Sequence, residues 1–143
     1  MFLSLLLLAL LASETPTPAQ PPVPPSEPLP PELGRVLKDY EAAWQAHDAG
    51  ALASLFVEDG FVLASGKPPV RGRRAIERAY ARAGGPLALR AFAYATNGPI
   101  GYIVGGFAKH AGEPDIGKFT LALRRDRLGK WLIASDMDNG NRR

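Results

Sequence analysis

Residues 118–138 read KFTLALRRDRLGKWLIASDMD, and the way this stretch pairs with itself decides the fold. Phe119, Leu121 and Leu123 alternate with other residues, and Trp131 and Ile133 do the same after Asp126-Arg127-Leu128-Gly129. Period-two alternation on both sides of a Gly-ended turn predicts a β-hairpin. Two registers are open. A three-residue loop, Arg127-Leu128-Gly129 with Gly129 left-handed, pairs Arg124 with Leu132. It sets Lys118 opposite Asp138 and Thr120 opposite Asp136, and leaves Met137 on the face of Trp131 and Ile133. A four-residue loop, Asp126–Gly129, moves the pairing by one and sets Phe119 opposite Asp136. A one-residue slip turns every side chain to the other face. The first register therefore leaves Asp136 and Asp138 in water, and the second turns them onto the row Phe119, Leu121, Leu123. Periodicity alone favours the first.

Upstream, Leu87–Thr96, Ile100–Lys109, Lys118–Arg125 and Lys130–Asp138 are strand-like and separated by Asn97-Gly98-Pro99, Ala111–Asp115 and Asp126–Gly129. Before them come helical patterns. Leu33, Val36, Leu37, Tyr40, Trp44 and His47 recur at helical spacing, which predicts a first helix over Glu32–Ala46. Asp48 is placed to cap a short helix over Ala49–Phe56. Glu58-Asp59-Gly60 reads as a turn, Phe61–Ala64 as a short strand, Ser65–Pro69 as a second turn, and Arg73–Ala83 as a third helix ended by Gly84-Gly85-Pro86. Helices followed by a long antiparallel meander form an α+β pattern.

The first third of the chain is different. Leu3–Leu11, LSLLLLALL, is shorter than the ~20 residues that span a bilayer and matches the core of a secretory signal peptide, taken here as residues 1–13. Residues 14–32 are expected to be a proline-rich disordered linker; its stretch Glu14–Pro31 holds nine of the 14 prolines, which excludes a helix or a sheet ladder there and favours extended polyproline II. Residues 33–143 are the folded domain. A secreted or periplasmic location follows, without a stable membrane span. Zero cysteines exclude a disulfide framework, a thiolate zinc site and a cysteine nucleophile. Residues 1–33 hold three of the 14 acidic residues and none of the 17 basic ones, so the domain carries a formal +6. Arg71, Arg73, Arg74, Arg78 and Arg82 read as a solvated helix face, since no nucleic-acid motif or stacking aromatics accompany them.

The order of elements resembles the nuclear transport factor 2-like superfamily, which includes ketosteroid isomerase and SnoaL-like cyclases. Three stretches carry the likeness: Tyr40–Leu52 (YEAAWQAHDAGAL), Leu55–Gly60 (LFVEDG) running on to Pro69–Gly72 (PVRG), and Phe119–Ile133 (FTLALRRDRLGKWLI). Together they cover residues 33–138. The resemblance implies a curved antiparallel sheet wrapped around a long N-terminal helix, a cystatin-like cone with three helices and then a four-stranded meander. It also implies a pocket for a small apolar molecule, a homodimer formed through the open sheet face, and the second hairpin register.

Ketosteroid isomerases combine a carboxylate base with an oxyanion hole made of a tyrosine and a protonated aspartate. Tyr40 matches that tyrosine. The base position falls in Leu63-Ala64-Ser65 and the second acid near Thr120-Leu121, and neither holds a carboxylate. That reaction loses its essential proton acceptor, so ketosteroid isomerase activity is excluded. Asp136 and Asp138, with Tyr40, are the candidate catalytic groups of an isomerase, cyclase or lyase. Desolvation inside a cone would lift a carboxylate pKa by as much as ~3–5 units. Trp44, Leu63, Tyr80, Phe92, Tyr102 and Phe119 are the candidate ligand-binding residues. Tyr40, Trp44 and Tyr80 read equally as core aromatics. His47 suits a helix C-terminus and His110 a solvated strand end. No cofactor is called for, and no spacing supports a metal. The competing class is a non-catalytic association module.

Overall fold

The computed structural model describes Ala19 and residues 22–141. The apolar run read as a signal peptide lies outside the described residues, as does the first part of the linker.

Helix α1 spans Pro31–Gln45 and buries Leu33, Val36, Leu37, Tyr40 and Ala43 along one stripe. It starts one residue before the expected Glu32, because a proline at the first helical position gives up an N–H that has no partner there anyway. Asp48 caps α2 (Ala49–Ser54), its carboxylate accepting from the Ala51 amide at 2.8 Å. The second helix stops short of Phe56, which instead opens strand β1 (Phe56–Leu63) as a fully buried residue. Glu58-Asp59-Gly60 is therefore not a turn. These residues sit inside β1 where its pairing with the last strand jumps from Phe56↔Ile133 to Phe61↔Ser135, so turn-forming residues have made a strand irregularity. Strand β2 (Val70–Arg71) is too short to be read from sequence. Helix α3 (Arg73–Ala79) starts at Gly72, φ +89°, and ends before the expected Ala83 as Tyr80 leaves helical dihedrals.

Strands β3 (Ala88–Asn97), β4 (Ile100–Ala108), β5 (Gly117–Arg125) and β6 (Trp131–Gly140) form the expected antiparallel meander. The full sheet has six strands in the order β2-β1-β6-β5-β4-β3. It is mixed rather than wholly antiparallel, since β1 lies parallel to β6. The α+β class holds. The core joins the buried stripe of α1 to Phe56, Val62, Ile76, Ile103, Leu121, Leu123, Trp131 and Ile133.

The last hairpin follows neither expected register throughout. Arg124 pairs with Leu132, Leu123 with Ile133, and Gly129 has φ +81°, so the turn is the three-residue loop. A bulge then intervenes, and Ala122 pairs with Ser135, Leu121 with Asp136 and Phe119 with Asp138. One extra residue, Ala134, changes the parity of the strand. Trp131 and Ile133 are buried before it, Asp136 is buried after it, and Met137 is 52% exposed. Lys118 and Thr120 accordingly face Asn139 and Met137, not the aspartates. The loop chemistry of one register coexists with the side-chain orientation of the other.

The linker is not a free spacer over its described part. The Glu27 amide donates to Ala91 O at 2.8 Å, and Arg90 Nη1 donates to Pro24 O at 2.7 Å. Arg90 is itself held by a bidentate pair with Asp115, with Nε to Oδ1 at 3.0 Å. β3 is an edge strand, and this segment covers part of it.

Candidate functional site

A hollow of about 80 Å³ lies between α1 and the inner sheet face. Tyr40 and Trp44 on α1 form one wall, with rings stacked 6.3 Å apart. Leu87 and Leu89, leading into and opening β3, form another. Helix α1 fastens that segment through its polar side: Gln45 Nε2 donates to Leu87 O at 2.9 Å, and Glu41 Oε1 accepts from the Leu89 amide at 2.7 Å. Phe107, Phe119 and Leu121 make the sheet wall. The two phenylalanines lie over glycines on the neighbouring strand. A Cβ on Gly105 would come within 2.5 Å of the Phe119 ring, and one on Gly117 within 2.1 Å of the Phe107 ring.

Asp136 and Asp138 complete the lining. Tyr40 donates its hydroxyl to Asp136 Oδ2 at 2.9 Å, and Tyr80 lies 3.2 Å from the Tyr40 oxygen and 3.4 Å from the same carboxylate oxygen. All three residues are buried, Asp136 at 4% exposure. Burial pushes the Asp136 carboxyl up to about 6 against the pull of the Tyr40 hydrogen bond, with repulsion from Asp138 adding to the rise. Burial beside Asp136 raises both phenols well above the usual tyrosine value, so they stay protonated donors. Asp138 is half-buried and accepts from the Ser65 amide at 3.1 Å.

The structure thus brings Tyr40, Trp44, Phe119, Asp136 and Asp138 to one hollow, with Tyr80 behind Tyr40. Four expected lining residues do not line it: Tyr80 reaches only the Tyr40 and Asp136 oxygens, and the other three lie elsewhere. Leu63 pairs with Met137 while its neighbour Val62 pairs with Asp136, so Leu63 falls on the outer sheet face. Tyr102 alternates with the fully buried Ile103 and is 43% exposed, also on the outer face. Phe92 occupies the unpaired position of a bulge between Ala91 and Ala93, and its ring lies 4.6 Å under the Arg90 guanidinium. His47, left-handed at φ +54°, and His110 are both exposed, and neither lines the hollow. Sequence reasoning missed Leu87, Leu89, Phe107 and Leu121. A usable signal for Phe107 was its pairing with Gly117 two residues from Gly105↔Phe119, an aromatic facing glycine on each strand of one hairpin.

No protein-family profile matches the chain, and no curated protein matches it. Solved structures do. A ketosteroid isomerase-like protein from Erwinia carotovora atroseptica aligns with TM-score 0.64 and 16% identity over 77% of this chain and 94% of that one. An NTF-2 like protein of unknown function from Shewanella oneidensis aligns at 0.61 and 21% over 75% and 95%. A domain of unknown function with a cystatin-like fold from Nostoc punctiforme aligns at 0.64 and 13% over 78% and 76%. At these identities the likeness is one of fold. The chain has the nuclear transport factor 2-like fold.

Proposed function

We propose that the chain is an exported small-molecule-binding domain whose hollow takes a small, mostly apolar group and orients it with Asp136. The carrying observation is the Asp136–Tyr40 contact at 2.9 Å in the wall of an otherwise apolar hollow. A carboxylate buried against hydroxyls with no cation paired to it among the described residues is costly, and such groups cluster at functional sites. The space is small. Drug-sized ligands occupy pockets of roughly 300–1,000 Å³ and benzene fits a cavity of about 150 Å³, so about 80 Å³ admits only a few heavy atoms. That supports a short chain or small head group and argues further against a steroid. The test is mass spectrometry of ligand released from gently purified protein. A small organic molecule that Asp136→Asn no longer retains supports the reading; a protein that retains nothing and binds no small molecule overturns it.

A second reading is an isomerase, cyclase or lyase with Asp136 as base. An acid near pH 6 is well matched to proton transfer near neutrality. Against it, the Tyr40 and Tyr80 hydroxyls are already committed to Asp136 and to each other, leaving neither phenol as donor for a developing oxyanion. Binding is therefore the preferred function.

Export is supported by the Leu3–Leu11 run and is checked by N-terminal sequencing of material recovered outside the cytoplasm. Homodimer formation is supported by a sheet face that the described residues leave largely uncovered, with Arg71 lying over Phe61 at its margin. Cross-strand rows Ala95, Tyr102, Ala122, Ser135, Phe61 and Ala93, Val104, Thr120, Met137, Leu63 carry no charge. Tyr102→Glu should then give a monomer in sedimentation.

A further inference from the structure

The polar groups of the hollow are unbalanced in one direction. The Tyr40 hydroxyl donates to Asp136 Oδ2 at 2.9 Å. The Tyr80 hydroxyl has the Tyr40 oxygen at 3.2 Å and the same carboxylate at 3.4 Å. The Ser65 amide donates to Asp138 Oδ1 at 3.1 Å. Both phenols and the Ser65 amide are thus committed, and among the described lining side chains only Trp44, through its indole N–H, keeps a free donor; Asp136 Oδ1 and Asp138 Oδ2 receive no hydrogen bond from the described residues. Among those residues no Lys, Arg or His lines the hollow. The rest of the wall is aromatic or aliphatic, led by Trp44, Phe107 and Phe119.

We infer that the hollow recognises a small organic cation, an alkylammonium whose head meets the free oxygens of Asp136 and Asp138 and whose hydrocarbon lies against Trp44 and Phe119. The inference deepens the binding function proposed above and rests on it. Two carboxylates on alternate residues of one strand face repel each other, and an ammonium between them removes that repulsion. It also supplies the N–H donors that the unpaired oxygens lack. Aromatic rings favour a desolvated cation over a neutral group of the same shape. A carbonyl or carboxylate ligand would instead bring acceptors up against two carboxylates with only the Trp44 indole N–H to donate, and a carboxylate would add a third negative charge. Size agrees, since a propyl chain with its ammonium has only four heavy atoms.

The experiment follows the Trp44 indole signal by NMR on the full chain during titration with propylammonium, 1-propanol and propionate, three probes of one length and different charge. Propylammonium should bind about tenfold or more tighter than 1-propanol, and propionate should leave the signal unmoved. Asp136→Asn should lower propylammonium to the level of 1-propanol. Asp138→Asn, at a half-exposed position where folding is not at stake, should lower it in part. If 1-propanol or propionate binds as tightly as propylammonium, the cation assignment falls and the binding function stands. If no probe moves Trp44, both fall.

Discussion

Replacing Asp136 by Asn isolates what the buried charge does to stability. The carboxyl has an ordinary value of 3.8 and is pushed up to about 6 in the folded chain. Between those values the folded state holds a proton that the unfolded state has released. Stability therefore falls as pH rises from about 4 to about 6, and the full penalty is present above that. Two units at 1.36 kcal/mol each give ~3 kcal/mol. Asparagine is nearly isosteric, cannot ionise, and keeps an oxygen to accept from Tyr40 at the 2.9 Å position. Wild type and variant should have similar stability at pH 4. At pH 7 the variant should be more stable by as much as ~3 kcal/mol, having lost the site's charge. Urea unfolding at half-unit pH intervals measures both curves. Parallel curves, or a variant less stable than wild type at pH 7, would refute the view that burial dominates at Asp136.

Tyr40→Phe removes the bond that holds the Asp136 carboxyl down, so its value should climb by roughly one unit for a bond of about 1.5 kcal/mol to a charged group. The upper end of the pH window then moves above 6, which the same urea series detects. Gly105→Ala places a methyl 2.1 Å from Arg90 O and 2.5 Å from the Phe119 ring, and overpacking of this kind should cost about 1–3 kcal/mol in chemical denaturation. Arg90→Met removes the clamp on Pro24 and Asp115; the Glu27 amide, bonded to Ala91 O, should then exchange its hydrogen about tenfold faster while core amides are unchanged.

Much of this architecture can be read from residues alone, because the signals are local. Helical spacing from Leu33 to Tyr40, the Asp48 cap and the alternation in β3 to β5 each follow from neighbours a few positions away. The misplacements have a common cause, which is that tertiary pairing overrode local chemistry. Glu58-Asp59-Gly60 has turn composition, yet β6 recruits it into a strand with an irregular register. The site was half legible. Tyr40, Trp44 and Phe119 lie on faces that periodicity sets correctly. Leu63 and Phe92 were misplaced because their faces depend on which partner residue sits opposite, and a bulge one strand away or at the residue itself changes that.

Ala134 has a consequence of its own. Upstream of it the strand offers its odd-numbered residues to the interior, and downstream its even-numbered ones. One alanine thus acts as a phase shifter that lets a hydrophobic half-strand and an acidic half-strand share the same inner surface. Removing or adding a single residue there would toggle Asp136 and Asp138 between hollow and solvent while Trp131 and Ile133 stayed seated. One codon could thus turn both carboxylates out of the hollow without changing any residue that lines it.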